Sequence, residues 1–514
     1  TTRHLPPTTH HPPPATHHPP PSTFHPPPST HHPPMTFLLR NLVLLHVLLL
    51  ALFFTWVHGG TRVEHLQAVP WLTFLILNVL VALPPQRKGE TLPAARLRVW
   101  RGMVYDPLLY IGLGVTLLLL LQWAGGGLEL TPNAATGKAE YPEQSRWLPF
   151  SVDPLESTQQ LHWFPPVFAA VLAVRHGVTR AGQRRLLLYL TWGGALLSVF
   201  GWIQQFSGTQ SLFWITPLPA HFFASFGYEN HAGAFFTLLF VISGGLWFQA
   251  AMDRDEGYRA YRYLVPAALN LTGAFGSLSR AAMLLCALLL VGGAVACLLA
   301  AWKRIKIGVR VKALTFGALV VLMLFGLYHA FPAGRVCSEL KSIQVAKFYD
   351  DTIGSRIFQY RSAWDMARDY PVFGVGGWGY RHFVQFYVTP EEMAEMRSGK
   401  GMANVHNDIL QLLAEHGLVG FGLLLAAVLV LLNPILRGAW QLWITPPPVD
   451  WDNPYCPPLL RVPTMVYAIL LGTTATVIHC LIDLPFRSPA ILITWSLCLT
   501  CAPAFLPRPG ASRA

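Results

Sequence analysis

Long apolar runs alternate with short polar connections along almost the whole chain, and one polar stretch, about 332 to 416, interrupts the alternation. Twelve mostly apolar runs can be read: roughly 36–57, 68–84, 107–123, 163–178, 186–205, 232–252, 262–277, 281–302, 313–331, 417–436, 463–482 and 490–506. Each is close to the length that crosses a hydrocarbon core of roughly 30 Å at about 1.5 Å per residue, and only a helix or a closed barrel satisfies the backbone there. The pattern predicts an all-α fold: a polytopic transmembrane helical bundle of about 12 spans with one large helical loop outside the membrane. The chain then divides into a tail (1–34), spans one to nine (35–331), the polar loop (332–416), spans ten to twelve (417–506) and a C-terminal tail (507–514).

Composition agrees. Apolar residues make up 53% of the chain and charged ones 12%, which excludes a string of soluble domains of this length. The formal charge of +12 would suit a nucleic-acid partner, but the basic residues form no single patch with interleaved aromatics, so none is expected. They alternate from connection to connection instead. Arg87, Lys88, Arg96, Arg98 and Arg101 share one, Arg180, Arg184 and Arg185 the next but one, and Lys303, Arg304, Lys306, Arg310 and Lys312 a later one. By the positive-inside rule these face the cytoplasm, both termini are cytoplasmic, and the connections near 58–67, 124–162, 206–230 and 481–489 face outward. The 332–416 stretch also faces outward, since loops of that length translocate largely regardless of charge. Membrane lipids are thus the surroundings of most of the chain.

Six of the seven cysteines (Cys286, Cys297, Cys456, Cys480, Cys498 and Cys501) lie in or near apolar spans or the proposed cytoplasmic connection, and only Cys337 lies in the outward loop. That distribution argues against a disulfide framework or a zinc site. The first 34 residues are a His/Pro/Thr repeat, with His17-His18-Pro19-Pro20 echoed at His31-His32-Pro33-Pro34, and cannot build a core. They read as a disordered tail, or as sequence upstream of a start at Met35. The first span is too long for a cleaved signal and lacks a small-residue cleavage site, so it is expected to stay as an anchor.

Chemistry is expected in the polar stretch and at the outward ends of the spans. Arg280, in Gly276-Ser277-Leu278-Ser279-Arg280, sits at the outward junction of spans seven and eight. It reads either as a snorkelling anchor or as a group facing a ligand, and small neighbours would let a bound group approach the backbone. Gly354-Ser355-Arg356 opens a helical pattern running to about Asp369, in which Arg356, Tyr360 and Trp364 share one spacing and Arg361, Trp364 and Arg368 another. Guanidinium groups beside aromatic rings suit a phosphate next to a sugar, although an interfacial helix would show the same residues. The segment Pro371-Val372-Phe373-Gly374-Val375-Gly376-Gly377 ends that helix in a turn. His406 precedes Asn407 and Asp408, both good N-cap types, at the start of a short amphipathic helix that Gly417 would stop. Its ring is of a kind that exchanges protons near neutral pH.

Taken together, Gly-Ser-Arg at 354–356, Pro371 followed by Gly374-Val375-Gly376, the His406-Asn407-Asp408 string and His416-Gly417-Leu418-Val419-Gly420 resemble the O-antigen ligase and O-antigen polymerase superfamily. Ser279-Arg280 and Phe226-Gly227-Tyr228-Glu229-Asn230 fit the same resemblance, which covers about 190 to 500. It implies a glycosyltransferase of the C type in the bacterial inner membrane, with its active site facing the periplasm. The donor would be a polyprenyl diphosphate-linked glycan and the acceptor a lipid-anchored sugar, with no nucleotide sugar, metal or cofactor. The resemblance also implies that Arg280 and Arg356 hold the diphosphate and that His406 assists attack by the acceptor hydroxyl. Arg361 is a weaker candidate by the same resemblance. Trp364, Asn407 and Asn230 are candidates for positioning sugar or phosphate, and Glu415 is a rival base better placed to orient another group. A polymerase or a transferase to protein hydroxyls would use the same residues. A transporter or flippase of the lipid-linked glycan should instead carry its polar groups near mid-membrane, often with an inverted repeat, and no internal repeat is found.

Overall fold

The computed structural model describes residues 34–61, 66–87, 89–126, 131–132, 139–140, 147–218, 221–252, 260–304, 354–389, 391–392, 404–444 and 461–507. The principal helices are α1 (Pro34–Trp56), α2 (Ala68–Ala82), α3 (Leu92–Val104), α4 (Pro107–Ala124), α5 (Phe164–Gly177), α6 (Arg180–Phe206), α7 (Glu229–Met252), α8 (Tyr261–Gly276), α9 (Arg280–Arg304), α10 (Gly354–Asp369), α11 (Asp408–Ile444), α12 (Thr464–Cys480) and α13 (Pro489–Cys501). Helices occupy every expected apolar run except the ninth, 313–331, which lies outside the described residues together with the His/Pro-rich tail and Cys337. Strand is confined, among the described residues, to two short antiparallel pairs at 131–132 with 139–140 and 211–212 with 216–217.

Side chains start several of these helices as their types dictate. Asp106 accepts from the Leu108 amide ahead of α4, and Thr179 from the Gly182 amide ahead of α6. Ahead of α11, Asn407 Oδ1 accepts from both Ile409 N and Leu410 N at 3.1 Å. Among the described residues, four helices are long and apolar enough to cross a membrane by length and composition: Pro107–Ala124, Arg180–Phe206, Glu229–Ala250 and Asp408–Ile444. Their surroundings differ. The apolar window of α7 is 89% buried and that of α11 only 22%, so α7 is the central helix and α11 a peripheral one. The exposed Leu418, Leu425, Leu429 and Leu436 of α11 form the kind of apolar face that lipid covers.

The connections sort by end. Those expected to face outward meet one another: Ser488 Oγ donates to the Gly59 carbonyl, Ser225 Oγ to the Thr55 carbonyl, and Tyr228 Oη to Asp483. At the opposite end Arg180 and Arg184 donate to the Leu506 and Ala504 carbonyls, and Arg175 pairs with Asp106. The first group carries a small core of its own, in which Phe150 and Val152 pack with Met366, Val375, Tyr380, Phe383 and Val405. Residues 147–163 therefore form one body with the polar stretch, which the sequence pattern had kept apart.

One irregularity fixes that body on the bundle. α11 breaks at Gly417, whose φ of 59° lies in the left-handed region, so the expected stop is a kink through which the helix continues. Pro371–Gly376 lies against the break. The Leu418 and Val419 amides donate to the Pro371 and Val372 carbonyls at 2.8 and 3.1 Å, while the Val375 and Gly376 amides donate to the Ala414 and Glu415 carbonyls at 3.0 and 2.9 Å. Gln122 of α4 closes the joint, its Nε2 donating to the Phe373 carbonyl at 2.6 Å. A Cβ at Gly417 would overlap the Val372 carbonyl, and one at Gly374 the Glu415 carbonyl. Gly417→Ala is accordingly expected to cost about 2 kcal/mol or more, combining a left-handed backbone with a backbone clash. A clear fall in the thermal unfolding midpoint in detergent would show this, and an unchanged midpoint would contradict the joint.

Candidate active site

The turn Leu481–Ser488 between α12 and α13 carries Asp483, a carboxylate only 2% exposed. Four groups answer it. The Tyr228 hydroxyl donates to Oδ2 at 2.8 Å, Asn230 Nδ2 donates to the same oxygen, and the Leu484 amide donates to Oδ1 at 2.8 Å. His406 Nδ1 stands 3.6 Å from Oδ1, an ion-pair distance beyond hydrogen-bond reach. Burial opposes the ionised carboxylate, but the facing imidazoles of His406 and His479 and the Tyr228 hydroxyl outweigh it, so the Asp483 carboxyl is held below its usual range. Burial and the same carboxylate push the Tyr228 phenol above its ordinary value, which keeps it a donor. Asn230 is fixed in turn, because Ser279 Oγ donates to its Oδ1 at 2.6 Å. Arg280 follows Ser279 directly and is exposed at the head of α9.

The His406-Asn407-Asp408 string grips this turn residue by residue. His406 faces Asp483, Asn407 Nδ2 donates to the Leu481 carbonyl at 3.1 Å, and Asp408 Oδ2 accepts from the Phe486 amide at 2.8 Å. His406 itself has φ 54°, a left-handed conformation unusual for a residue with a side chain, and its carbonyl accepts from the Tyr360 hydroxyl at 3.2 Å. The turn is also held from α10. Arg356 Nη1 donates to the Ile482 carbonyl at 2.6 Å and Tyr360 Oη to that of Leu481 at 3.2 Å. A guanidinium has five N–H donors, so this single bond to a neutral carbonyl positions Arg356 without cancelling its charge.

Behind the turn lies a buried ion pair. Arg487 Nη2 meets Glu415 Oε2 at 2.5 Å, and Gln411 Nε2 donates to Glu415 Oε1 at 2.8 Å. The Arg487 guanidinium lies 4.6 Å from the Trp378 ring centre, over the ring, and that of Arg381 lies 4.1 Å from it. Glu415 thus orients another group, as its position in the sequence suggested. Arg487 Nη1, by contrast, is buried without a hydrogen-bond partner among the described residues. Arg487 also lines a cavity of about 230 Å³ together with His406, Tyr228, His231, Trp378 and Asn404. With His406 Nδ1 turned to Asp483, Nε2 is its nitrogen left free of that carboxylate. The cavity thereby joins a candidate base to a buried donor with unmet capacity, an arrangement suited to a hydroxyl or an anionic oxygen.

Not all the expected residues converge. His406, Asn407, Arg356 and Asn230 meet around the turn, and Arg280 adjoins them through Ser279. Arg361 instead pairs with Glu392 at 2.8 Å, and Trp364 is 51% exposed on α10, away from the turn that Arg356 and Tyr360 hold. The reading of the sequence missed Asp483 and Arg487, because the 481–489 connection had been weighed only for its scarcity of Lys and Arg. The usable signal was an acid and a base five residues apart or less in a short turn between two apolar helices.

Residues 265–425 match a family model described as O-antigen ligase. The match bears out the resemblance to the O-antigen ligase and O-antigen polymerase superfamily, whose members are membrane glycosyltransferases, and it takes in Arg280, Arg356, His406, Glu415 and the Gly417 break. Asp483, Arg487, Tyr228 and Asn230 lie outside it. An uncharacterised protein of Haemophilus influenzae is 29% identical over 118 residues, which is 23% of this chain and 28% of that protein, so the match spans less than a third of this relative.

Two measurements test the site as built. Arg487→Ala leaves the Glu415 carboxylate buried and unpaired and should destabilise by roughly 3–5 kcal/mol, whereas adding Glu415→Gln should recover part of that loss. Equal, additive losses in a thermal unfolding cycle would deny the pair. Asp483, with a lowered folded-state pKa, contributes stability that is complete above its unfolded value near 3.9 and is lost as pH falls through the lower folded value. The wild type minus Asp483→Asn stability difference should therefore shrink in acid, as the pH falls below about 4 and through the lowered folded value.

Proposed function

We propose that the chain is an O-antigen ligase-type glycosyltransferase. It moves a glycan from a polyprenyl diphosphate carrier onto a sugar hydroxyl of a lipid-anchored acceptor of the lipid A-core type, at the periplasmic face of a bacterial inner membrane. The observation that carries this reading is the His406–Asp483 pair at a cavity that also holds the unpartnered Arg487 Nη1, with carbonyl-anchored Arg356 on the same turn. His406 Nε2 takes the proton of the acceptor hydroxyl as its oxygen bonds to the anomeric carbon. The bond from that carbon to the diphosphate oxygen breaks, and its electron pair leaves with the diphosphate. Attack from the opposite face inverts the configuration. Asp483 holds the His406 ring with Nδ1 toward it and steadies the imidazolium as it forms. Arg356 and Arg280 meet the charge growing on the leaving group, so fixed guanidinium groups supply the positive charge that a divalent ion supplies elsewhere. Asn230 and Asn407 position the turn, Arg361 and Trp364 lie on α10 where a glycan would extend, and Arg487 donates to an oxygen of donor or acceptor. A polymerase of repeat units or a protein O-oligosaccharyltransferase would use the same residues. A transporter is disfavoured, since the candidate residues gather at one end of the bundle.

Reconstituted proteoliposomes containing polyprenyl diphosphate-linked glycan and a lipid A-core acceptor test this directly. Wild type should transfer in the presence of EDTA. His406→Ala should lower the rate by about 10² to 10⁴ and Arg356→Ala by at least about 10², with Arg356→Lys intermediate. Undiminished transfer by folded His406→Ala would remove the mechanism. Donor-on-donor products would select the polymerase, and movement of donor across the bilayer without bond formation would end the enzyme reading.

A further inference from the structure

The end of the bundle opposite the His406 cavity holds a second and larger one, of about 800 Å³, within the range of small-molecule sites. Four arginines line it: Arg87 and Arg98 from the connection between α2 and α3 and the helix that follows, Arg175 from α5 and Arg180 from the head of α6. Like charges gathered from separate segments repel, so each needs an answer. Two have one. Arg98 pairs with Glu90 at 2.8 Å, and Arg175 shares Asp106 with His176 at 2.7 and 2.8 Å. Among the described residues, neither the Arg87 nor the Arg180 side chain forms an ion pair of its own, although Glu90 accepts from the Arg87 amide at 2.8 Å and feels its charge as well as that of Arg98. Arg180 donates to the Leu506 carbonyl at 3.0 Å, a neutral group that leaves its charge in place, and the Arg87 side chain is exposed. Four lining guanidinium groups thus stand against the two carboxylates that Arg98 and Arg175 pair with, an excess of two positive charges. Pro434 of α11 and Thr500 of α13 form another part of its lining, where the helices carry their apolar faces.

We propose that this cavity binds a phosphate-bearing anion, with Arg87 and Arg180 as the principal donors. A guanidinium forks two phosphate oxygens, and two of them lining one cavity can hold a single phosphate group between them. The mixed lining accepts a headgroup with its glycerol against Pro434, which matches an anionic phospholipid entering between helices at the end where the basic connections gather. The proposal does not depend on glycan transfer, and its readout is binding.

The full chain in detergent, stripped of lipid, is titrated with dioleoyl phosphatidylglycerol or dioleoyl phosphatidylcholine, and bound lipid is counted by native mass spectrometry, with inorganic phosphate as competitor. Wild type should retain phosphatidylglycerol about tenfold better than phosphatidylcholine, and Arg87→Glu and Arg180→Gln should each lose most of that preference. Arg87→Lys should keep much of it, and Arg185→Gln, an exposed change at the same end outside the cavity, should keep all of it. Arg87 is exposed, so its variants test the site without a folding hazard; matched unfolding midpoints confirm this. Displacement by millimolar phosphate would assign the site to free phosphate, and resistance to it would assign the site to a lipid headgroup. Equal retention of the two lipids by wild type without phosphate binding, or undiminished retention by Arg87→Glu, would overturn the proposal.

Discussion

A single buried carboxylate organises the active end of this molecule. Asp483 is withdrawn from water, and an ionised carboxyl there survives only if its partners replace the lost hydration. The partners come from distant parts of the chain: Tyr228 and Asn230 ahead of and within the first turn of α7, the Leu484 amide of its own turn, and His406 ahead of α11. Satisfying that one group therefore sets the relative position of three helices. It also selects the orientation of His406, because the nitrogen that faces the carboxylate cannot be the one that faces a substrate. Stability and the geometry of a base are here the same constraint.

The second constraint is steric. A long helix such as α11 would carry its first two turns straight on along the bundle, but Gly417 breaks it, and the Pro371–Gly376 segment supplies the carbonyls and amides that the break leaves open. The two motifs are complementary halves of one joint: the glycines at 374 and 417 each lie where the other segment's backbone allows no side chain. Gln122 from α4 ties the joint to the bundle. The turns of α11 before the break then carry Asp408 and Glu415, with Asn407 at their head, toward the Leu481–Ser488 turn, so a break in a helix places a recognition surface.

The helices were legible because a period and a length are local properties. All the principal described helices except α3 and α10 fall on the apolar runs, Asn407 is the cap its residue type suggested, and α10 ends at Asp369 as the pattern indicated. His406 and Arg356 were legible through motif company. Asp483 and Arg487 were not, since a single acid and a single base in a short turn carry no periodicity, and their importance arises only when α7, α11 and residue 378 are brought beside them. Gly417 was legible as a special backbone position but not as a kink, because the choice between a stop and a break depends on whether another segment answers the open amides. The union of residues 147–163 with the polar stretch escaped for the same reason. Its contacts, such as Ser157 Oγ with the Gly377 carbonyl at 2.8 Å, join positions far apart in sequence.

The way each arginine is anchored separates structural cations from those suited to a ligand. Arg361 is turned to Glu392, Arg98 to Glu90 and Arg175 to Asp106, and each pair is close to neutral as a unit. Arg356 and Arg180 are instead held by backbone carbonyls, which fix direction but leave the full charge. Arg487 is intermediate: Glu415 takes Nη2, while Nη1 stays without a partner beside the cavity. A phosphate approaching an arginine already paired with a carboxylate must displace that carboxylate or share the charge, whereas one approaching a carbonyl-anchored arginine meets an aimed and uncompensated donor set. By that criterion Arg356 outranks Arg361 although both lie on α10, and the distinction rests on a partner that helical spacing alone does not reveal.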